Sequence, residues 1–353
     1  MKRIKYLFIT AIALMVFATG TAKAEKDTGI DVAEIVFGHI EDSYEWHIAD
    51  FGGKPLRIPL PVIVKSSTGW HVFSSARLEN GAEYEGLYIA SEGANAKKIV
   101  ERDASGNEVL PLDISITKNV LALFINSAIL LIVMLSCARW YKRHEVSKGA
   151  PKGGVGMIEA TVLYIYEDVI KASVGAQYQR YAPYLLTAFF FILVNNLMGL
   201  LPFFPGGANV TGNIAITVVL ALFTFVLTNV TGSREYWKDI FWPEVPTWLK
   251  APVPLMPLIE FIGVFTKPFT LAMRLFANLM AGHAGILSIV CVIFITAQLG
   301  AGICAPMSLI AVIFGIFLNA LEVLVAFIQA YVFTLLSAIF IGMAHPKAEI
   351  EKK

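Results

Sequence analysis

Thr270-Leu-Ala-Met-Arg274-Leu-Phe-Ala-Asn278-Leu-Met-Ala-Gly-His283 carries an obligate cation into an apolar run that extends from Phe261 to Leu299. Read as a helix in lipid, it places a guanidinium where a charge costs at least ~3 kcal/mol at the helix centre. A lone arginine near the end of a span reads as a side chain snorkelling to the interface. Arg274 has company: Asn278 stands one turn on, Glu260 and His283 share the segment, and the last apolar run adds Asn319, Glu322 and Gln329. That clustering favours an ion path over a structural arginine.

Spacing sharpens the reading. If the last two apolar runs form an antiparallel hairpin, residues at equal depth have numbers with a constant sum. Arg274 with Gln329 gives 603 and His283 with Glu322 gives 605, so both pairs put the turn near residue 302. That falls inside Gly300-Ala-Gly-Ile-Cys-Ala-Pro306, a strong breaker signal. Glu322 and Gln329, seven apart, share one helical face, with Asn319 beside Glu322.

The whole chain fits a membrane setting. It has 353 residues, 56% hydrophobic and 16% charged, with a mean hydropathy of +0.66, outside the range of soluble domains. Met1 to Lys5 is basic, Tyr6 to Ala18 is apolar and Ala22-Lys-Ala24 offers small residues for cleavage, which reads as a signal peptide over 1–24; an uncleaved anchor is the alternative. Residues 25–118 hold 16 acidic against 9 basic residues, net −7, whereas Arg139 to Lys152 is net +4, so the two are expected on opposite sides.

The acidic segment reads as exported, with short strands at Pro59–Lys65, Trp70–Phe73 and Tyr84–Ile89. It has no cysteine; Cys137, Cys291 and Cys304 all fall in apolar runs. His39, Asp42 and His47 fit no standard metal spacing, and no nucleophile, base and orienter set is evident there. No metal, cofactor or nucleic acid is expected.

Val120–Ala138 is a first span ending in basic and aromatic residues at 139–144, and by charge it delivers the chain to the cytoplasm. An amphipathic stretch, Met157–Arg180, is expected along the cytoplasmic interface within residues 145–183, ended by Pro183. Tyr184–Leu201, interrupted by Asn195 and Asn196, is the second span; Ile214–Val230 is the third; Arg234–Lys250 is a polar loop. Phe261–Leu299 and Ser308–Met343, 39 and 36 residues, exceed the ~20 residues a helix needs to cross and must tilt or break. The expected fold is an all-α polytopic membrane protein with five crossings, two long tilted C-terminal helices in a hairpin, and a small exported β or irregular segment. Residues 184–343 form the ion-translocating part and 344–353 a cytoplasmic tail.

Lys267-Pro-Phe-Thr-Leu-Ala-Met-Arg274-Leu-Phe-Ala-Asn278-Leu-Met-Ala-Gly282, the Glu322-to-Gln329 segment, and Val194-Asn-Asn-Leu-Met-Gly-Leu-Leu-Pro202 resemble subunit a of the F-type ATP synthase. The resemblance covers about residues 155–343. It implies a stator holding two offset proton half-channels against a rotating ring of c subunits, with a b-subunit stalk and further synthase subunits as partners, in the cell inner membrane. It maps the family's essential arginine onto Arg274, its ring-facing glutamine onto Gln329, and the outer half-channel pair onto His283 and Glu322. It implies little about residues 25–118.

The chemistry of the residues agrees. A fixed cation favours the ionised form of a partner carboxylate, and arginine holds its charge where lysine can lose it. Histidine suits a relay near neutral pH, and Glu260, fourteen residues before Arg274, is the candidate for the inner half-channel. Two other classes stay open at this level: an independent ion channel or secondary transporter, although no internal repeat is visible, and a membrane-anchored exported enzyme.

Overall fold

The computed structural model describes residues 36, 38, 40–51, 54–91, 93, 95–103, 106–144, 149–201, 204–243 and 255–345. The expected signal peptide, and all but the first two residues of the expected tail, lie outside these. The chain divides into two compact units, one of Met1–Gly38 with Gly285–Leu318, the other of His39–Ala284 with Asn319–Lys353.

The larger unit begins with eight short strands: β1 (Glu45–Phe51), β2 (Lys54–Pro59), β3 (Pro61–Ser66), β4 (Gly69–Ser74), β5 (Leu87–Ile89), β6 (Ile99–Arg102), β7 (Glu108–Val109) and β8 (Leu112–Asp113). They pair as three small sheets, β1-β2, β4-β3-β8 and β5-β6-β7, every pair antiparallel. The period of two is plain in β3, where Val62 and Val64 are buried while Pro61 and Lys65 are exposed. With Leu78, Leu87 and Ile99 they form a small core, each such side chain contributing ~1.5–3 kcal/mol by its burial. The three strand segments expected from the sequence fall on β3, β4 and β5.

Among the described residues five helices are long and apolar enough to cross a membrane. The first, α1 (Lys118–Arg143), is started by Thr117, whose side chain accepts from the Val120 amide, and ends with Lys142 and Arg143 in its last turn, where cations suit the helix dipole. Then α2 (Gly154–Tyr164) runs into a π-helical stretch at Ile165–Lys171 and a single turn at Ala172–Val174. Ile165, Val169, Ile170 and Val174 are buried there, while Glu167, Asp168 and Lys171 are exposed. The expected amphipathic stretch is thus present, but in pieces.

Gly175, at φ +76 and ψ −138, breaks it in a conformation closed to other residues. The next helix, α3 (Tyr178–Gly199), therefore starts before Pro183 and contains it. The sequence expectation that Pro183 ends an element is corrected: the proline sits in the second turn of a new helix, where it withholds the one amide that would bond the Gln179 carbonyl of the first turn.

The helix α4 (Ile214–Thr231), capped by Asn213, matches the third expected span. The polar loop expected at 234–250 instead begins with α5 (Arg234–Phe241), because Ser233 accepts from the Tyr236 amide at 3.1 Å and Glu235 stands in the first turn. Two very long helices follow, α6 (Leu255–Gln298, 44 residues) and α7 (Ala301–Met343, 43 residues). At ~1.5 Å per residue each is about 65 Å long, twice the ~30 Å hydrocarbon core. Both run unbroken through Pro268 and Pro306, so inclination, or projection beyond the lipid, must absorb the excess.

The smaller unit, taken by itself, is the hairpin at the joined ends of α6 and α7. It turns at Leu299–Gly300, with Gly300 at φ +98, and the Ile303 and Cys304 amides donate to the Gly300 carbonyl at 3.2 and 3.0 Å. The chain thus turns at the start of the expected Gly300–Pro306 window. Pro306 is absorbed into α7, where it withholds the one amide that would bond the Gly302 carbonyl.

In the larger unit α3 is the central helix. Tyr181, Leu185, Phe189 and Ile192 form a stripe at helical spacing that packs against Leu271 and Leu275 of α6 and Phe333 and Ile341 of α7. Alanines at 182, 188, 272, 330 and 338 lie in the same core and let these helices approach closely, as lipid-embedded packing requires. A Cβ on Gly342 would overlap the Ser173 carbonyl, so the end of α7 reaches the 172–174 turn only because that position is glycine.

Candidate functional site

Along α6 one face is buried at Leu271, Leu275 and Leu279, while Thr270, Arg274 and Asn278 are exposed on another. The i, i+4 repeat of each set puts Arg274 and Asn278 one turn apart on an open surface. Among the described residues no carboxylate pairs with Arg274. A permanent cation thus stands on the outside of a lipid-length helix with no counter-charge from the described part of its own chain.

His283, two and a half turns on, is half-buried. Its Nδ1 lies 3.1 Å from the Leu279 carbonyl oxygen and its Nε2 3.3 Å from the Gly199 carbonyl oxygen. A neutral imidazole can donate to only one of these acceptors; a protonated ring can donate to both.

Glu322 on α7 does not bond to His283. Its carboxylate lies over Gly282, where a Cβ would overlap Oε1, and neither carboxylate oxygen has a hydrogen-bond partner among the described residues. The constant-sum argument thus finds the correct depth to within one residue, since 282 with 322 gives 604. It misassigns the contact: the imidazole points to the end of α3 and the glycine beside it receives the acid. Sequence spacing gives depth along a helix, but rotation about its axis is set by packing partners that spacing does not contain.

Gln329 is 6% exposed. It belongs to the Ala326-Gln329-Ala330-Phe333 stripe that packs inward, so its amide is not on the open face that carries Arg274. Asn319, three residues before Glu322, is exposed. The polar face expected along α7 is therefore split between the interior and the surface.

At the other end, Glu260 lines a cavity of about 420 Å³ with Tyr236, Asp239, Lys267 and Met343. Burial and, after it, the Glu260 carboxylate push the Tyr236 phenol above its usual range. The Tyr236 hydroxyl donates to Asn229 at 3.2 Å. Asp239 and Tyr236 escaped the sequence reading because they lie on α5, taken there for loop; the capping serine ahead of Arg234-Glu235 was the available signal.

The asparagines of α3 are spent internally. Asn126 Nδ2 on α1 donates to Asn195 Oδ1 at 3.0 Å, and Asn196 Nδ2 donates to the Ala326 carbonyl at 3.2 Å while its Oδ1 accepts from Thr211 at 2.7 Å. The expected inter-helix bonding is present, and it leads to the helical turn that follows Glu322.

The β region does contain a nucleophile, base and orienter arrangement, contrary to the reading of its sequence. His71 Nε2 meets Ser66 Oγ at 2.8 Å and Thr68 Oγ1 at 2.9 Å, and its Nδ1 meets Glu85. The neighbouring amides are already used, Ser67 N–H by Glu101 and Thr68 N–H by Ser66 Oγ. Neither of these two is left to stabilise an oxyanion, and the arrangement staples the β3–β4 turn. Asp42, considered with His39 and His47 as a ligand, accepts from the Asn119 amide at the start of α1; His39 lies outside the described residues.

Comparison with known proteins bears on both parts. The family described as ATP synthase A chain matches residues 120–342, and a domain of unknown function (DUF8433) matches residues 35–119. The ATP synthase subunit a of Chloroherpeton thalassium is 44% identical over 243 residues, covering 67% of this chain and 68% of the relative. That of Chlorobium phaeobacteroides is 44% identical over 256 residues, covering 69% and 71%. The ATP synthase subunit a 2 of Prosthecochloris aestuarii is 41% identical over 286 residues, covering 78% and 84%.

Proposed function

The chain belongs to the ATP synthase A chain family, and from that premise we infer that it is the proton-conducting stator subunit of an F-type ATP synthase, itself without catalytic chemistry. The observation that carries the reading is Arg274: an exposed guanidinium on a membrane-length helix, with no ion pair among the described residues. A charge there is costly, and its natural counter-charge is a carboxylate brought by a partner. A rotating ring of c subunits supplies one carboxylate after another. Each is neutral against lipid and gives up its proton beside the guanidinium, since the opposite charge favours its ionised form.

His283 and Glu322 form the outer half-channel. Protons arrive at an imidazole flanked by two carbonyl acceptors and pass along the Glu322 carboxylate, which has no hydrogen bond among the described residues. Glu260 and its cavity form the inner half-channel, with Asp239 a second acid at its mouth. Arg274 lies between the two and repels a proton that would cross directly. Asn278 shares its face, and Asn319 and the buried Gln329 are the remaining polar groups of the path.

A b-subunit stalk and the other synthase subunits complete the complex, in the cell inner membrane, with the mature N-terminus of the chain periplasmic and its C-terminus cytoplasmic. Native purification tests the assignment: co-purification with a proteolipid ring is expected, and a homo-oligomer without a ring would refute it. Protease added outside sealed cells should trim the exported segment and spare a tag after Lys353; loss of the tag would refute the topology.

A further inference from the structure

The β region is matched to a domain of unknown function, and it packs on the part of the membrane domain that backs His283. Trp46 of β1 is 3% exposed and sits in one cluster with Ala122 of α1 and with Ala208 and Val210 of the α3–α4 loop. Its ring meets Phe204 of that loop edge-on, 5.1 Å between centroids. Three further bonds fix the approach: Lys118 N–H donates to the Ser43 carbonyl at 2.8 Å, Lys118 Nζ to the Glu41 carbonyl at 3.0 Å, and Asn119 N–H to Asp42 at 3.0 Å.

The loop beneath Trp46 is connected through α3 to the helices that carry both members of the relay. The Ala208 carbonyl and His283 Nε2 both stand in van der Waals range of a Cβ at Gly199. Gly199 thus adjoins both the loop and the imidazole, and it supplies the carbonyl that Nε2 faces. Thr211 of the same loop holds Asn196, which bonds the Ala326 carbonyl, four residues beyond Glu322.

We propose that the β region is a brace for the outer half-channel, with Trp46 as a positioning residue that holds the α3–α4 loop and through it the Gly199 carbonyl against His283. This rests on His283 being a relay group. An aromatic wedge suits the task because it covers a large area at low conformational cost. A relay tolerates little misplacement, since about 1 Å at a reacting group costs on the order of 100-fold.

The test uses the whole synthase in sealed vesicles, with Trp46→Ala, Trp46→Phe and, as control, Trp70→Ala, a tryptophan 58% exposed on the same region. Hydrogen exchange of the 206–213 amides should rise about tenfold in Trp46→Ala, as local opening becomes easier. Proton-driven synthesis per assembled complex should fall about three- to tenfold, a partial misplacement on the scale above. Trp46→Phe should restore most of both, and Trp70→Ala should change neither. If Trp46→Ala does not assemble, Trp46→Leu is read by the same two measurements.

A wild-type rate with a loosened loop, or a lost rate with unchanged loop exchange, overturns the brace. Arg274→Ala measured in parallel separates the two levels: if it keeps synthesis, the ion-path reading falls and takes the brace with it. If it abolishes synthesis while Trp46→Ala is silent, only the brace falls.

Discussion

Two helices that cross in this protein both carry polar groups among apolar ones, and they use them in opposite ways. On α3, Asn195 and Asn196 are buried, and each finds a partner on another part of the same chain. On α6, Arg274 and Asn278 are exposed on the open face, and Arg274 has no ion pair among the described residues. Polar groups satisfied inside the chain hold helices together; a charge left to the lipid side needs something that is not part of the chain. That contrast separates structure from function here better than polarity alone.

The contrast is broken most directly at Arg274. Arg274→Ala should abolish proton-driven ATP synthesis while the complex still assembles, because the residue packs no core. Arg274→Lys should be severely impaired, since a desolvated ammonium can deprotonate whereas a guanidinium does not. Synthesis rates in vesicles, normalised to assembled complex, decide it; near-normal synthesis in the alanine variant removes the arginine from the mechanism.

A large but less complete loss is expected at the outer relay. His283→Ala and Glu322→Ala should each impair synthesis severely. The exchange His283→Glu with Glu322→His is the sharper measurement. Had the two side chains faced each other, the double variant would recover activity beyond addition. With both His283 nitrogens against carbonyl oxygens, a carboxylate at 283 meets two acceptors and repels them, so no recovery is expected. Recovery would restore the direct pair that the spacing of the sequence suggests.

The sequence carried the five spans, the long hairpin and the arginine, because each is written in hydrophobic runs of membrane length or in a costly exception to them. It carried the β3, β4 and β5 strands through their punctuation. It did not carry the rotation of His283 away from Glu322, nor the burial of Gln329, because both depend on which side of α6 and α7 packs against α3. Pro183 misled for a related reason: a proline is tolerated early in a helix as well as beyond its end, and the glycine at 175, eight residues before it, was the actual break. The His71–Glu85 contact joins residues fourteen apart, one on β4 and one in the turn before β5, a distance no local pattern spans.

On the satisfied side of the contrast the effects are smaller. Asn126→Ala should leave the Asn195 oxygen unpaired and lower stability by about 0.6–1.7 kcal/mol, the range for hydrogen bonds between membrane helices. Thermal unfolding of the complex in detergent measures it, and synthesis by the folded fraction should stay near normal. A total loss of synthesis in well-folded Asn126→Ala would move this pair from the structural to the functional class.

The smallest effect is expected where a polar group is both exposed and partnered. The Glu85 carboxyl is held below its usual range chiefly by its hydrogen bond to His71. A carboxyl whose value is depressed by folding adds stability that is complete above its ordinary value of 4.5 and is lost as pH falls through the lower, folded value. The β3–β4 turn should therefore loosen on acidification below 4.5, and Glu85→Gln should remove that acid-dependent step while leaving synthesis at neutral pH unchanged. Hydroxyl-radical footprinting of Trp70 and Tyr84 in the assembled complex, taken from pH 6 downward, reads the loosening directly. The two aromatics flank the staple but lie away from Trp46, so a change at neutral pH in synthesis by Glu85→Gln would mean that the staple also supports the brace, and the line between exposed, partnered polarity and function would have to be redrawn.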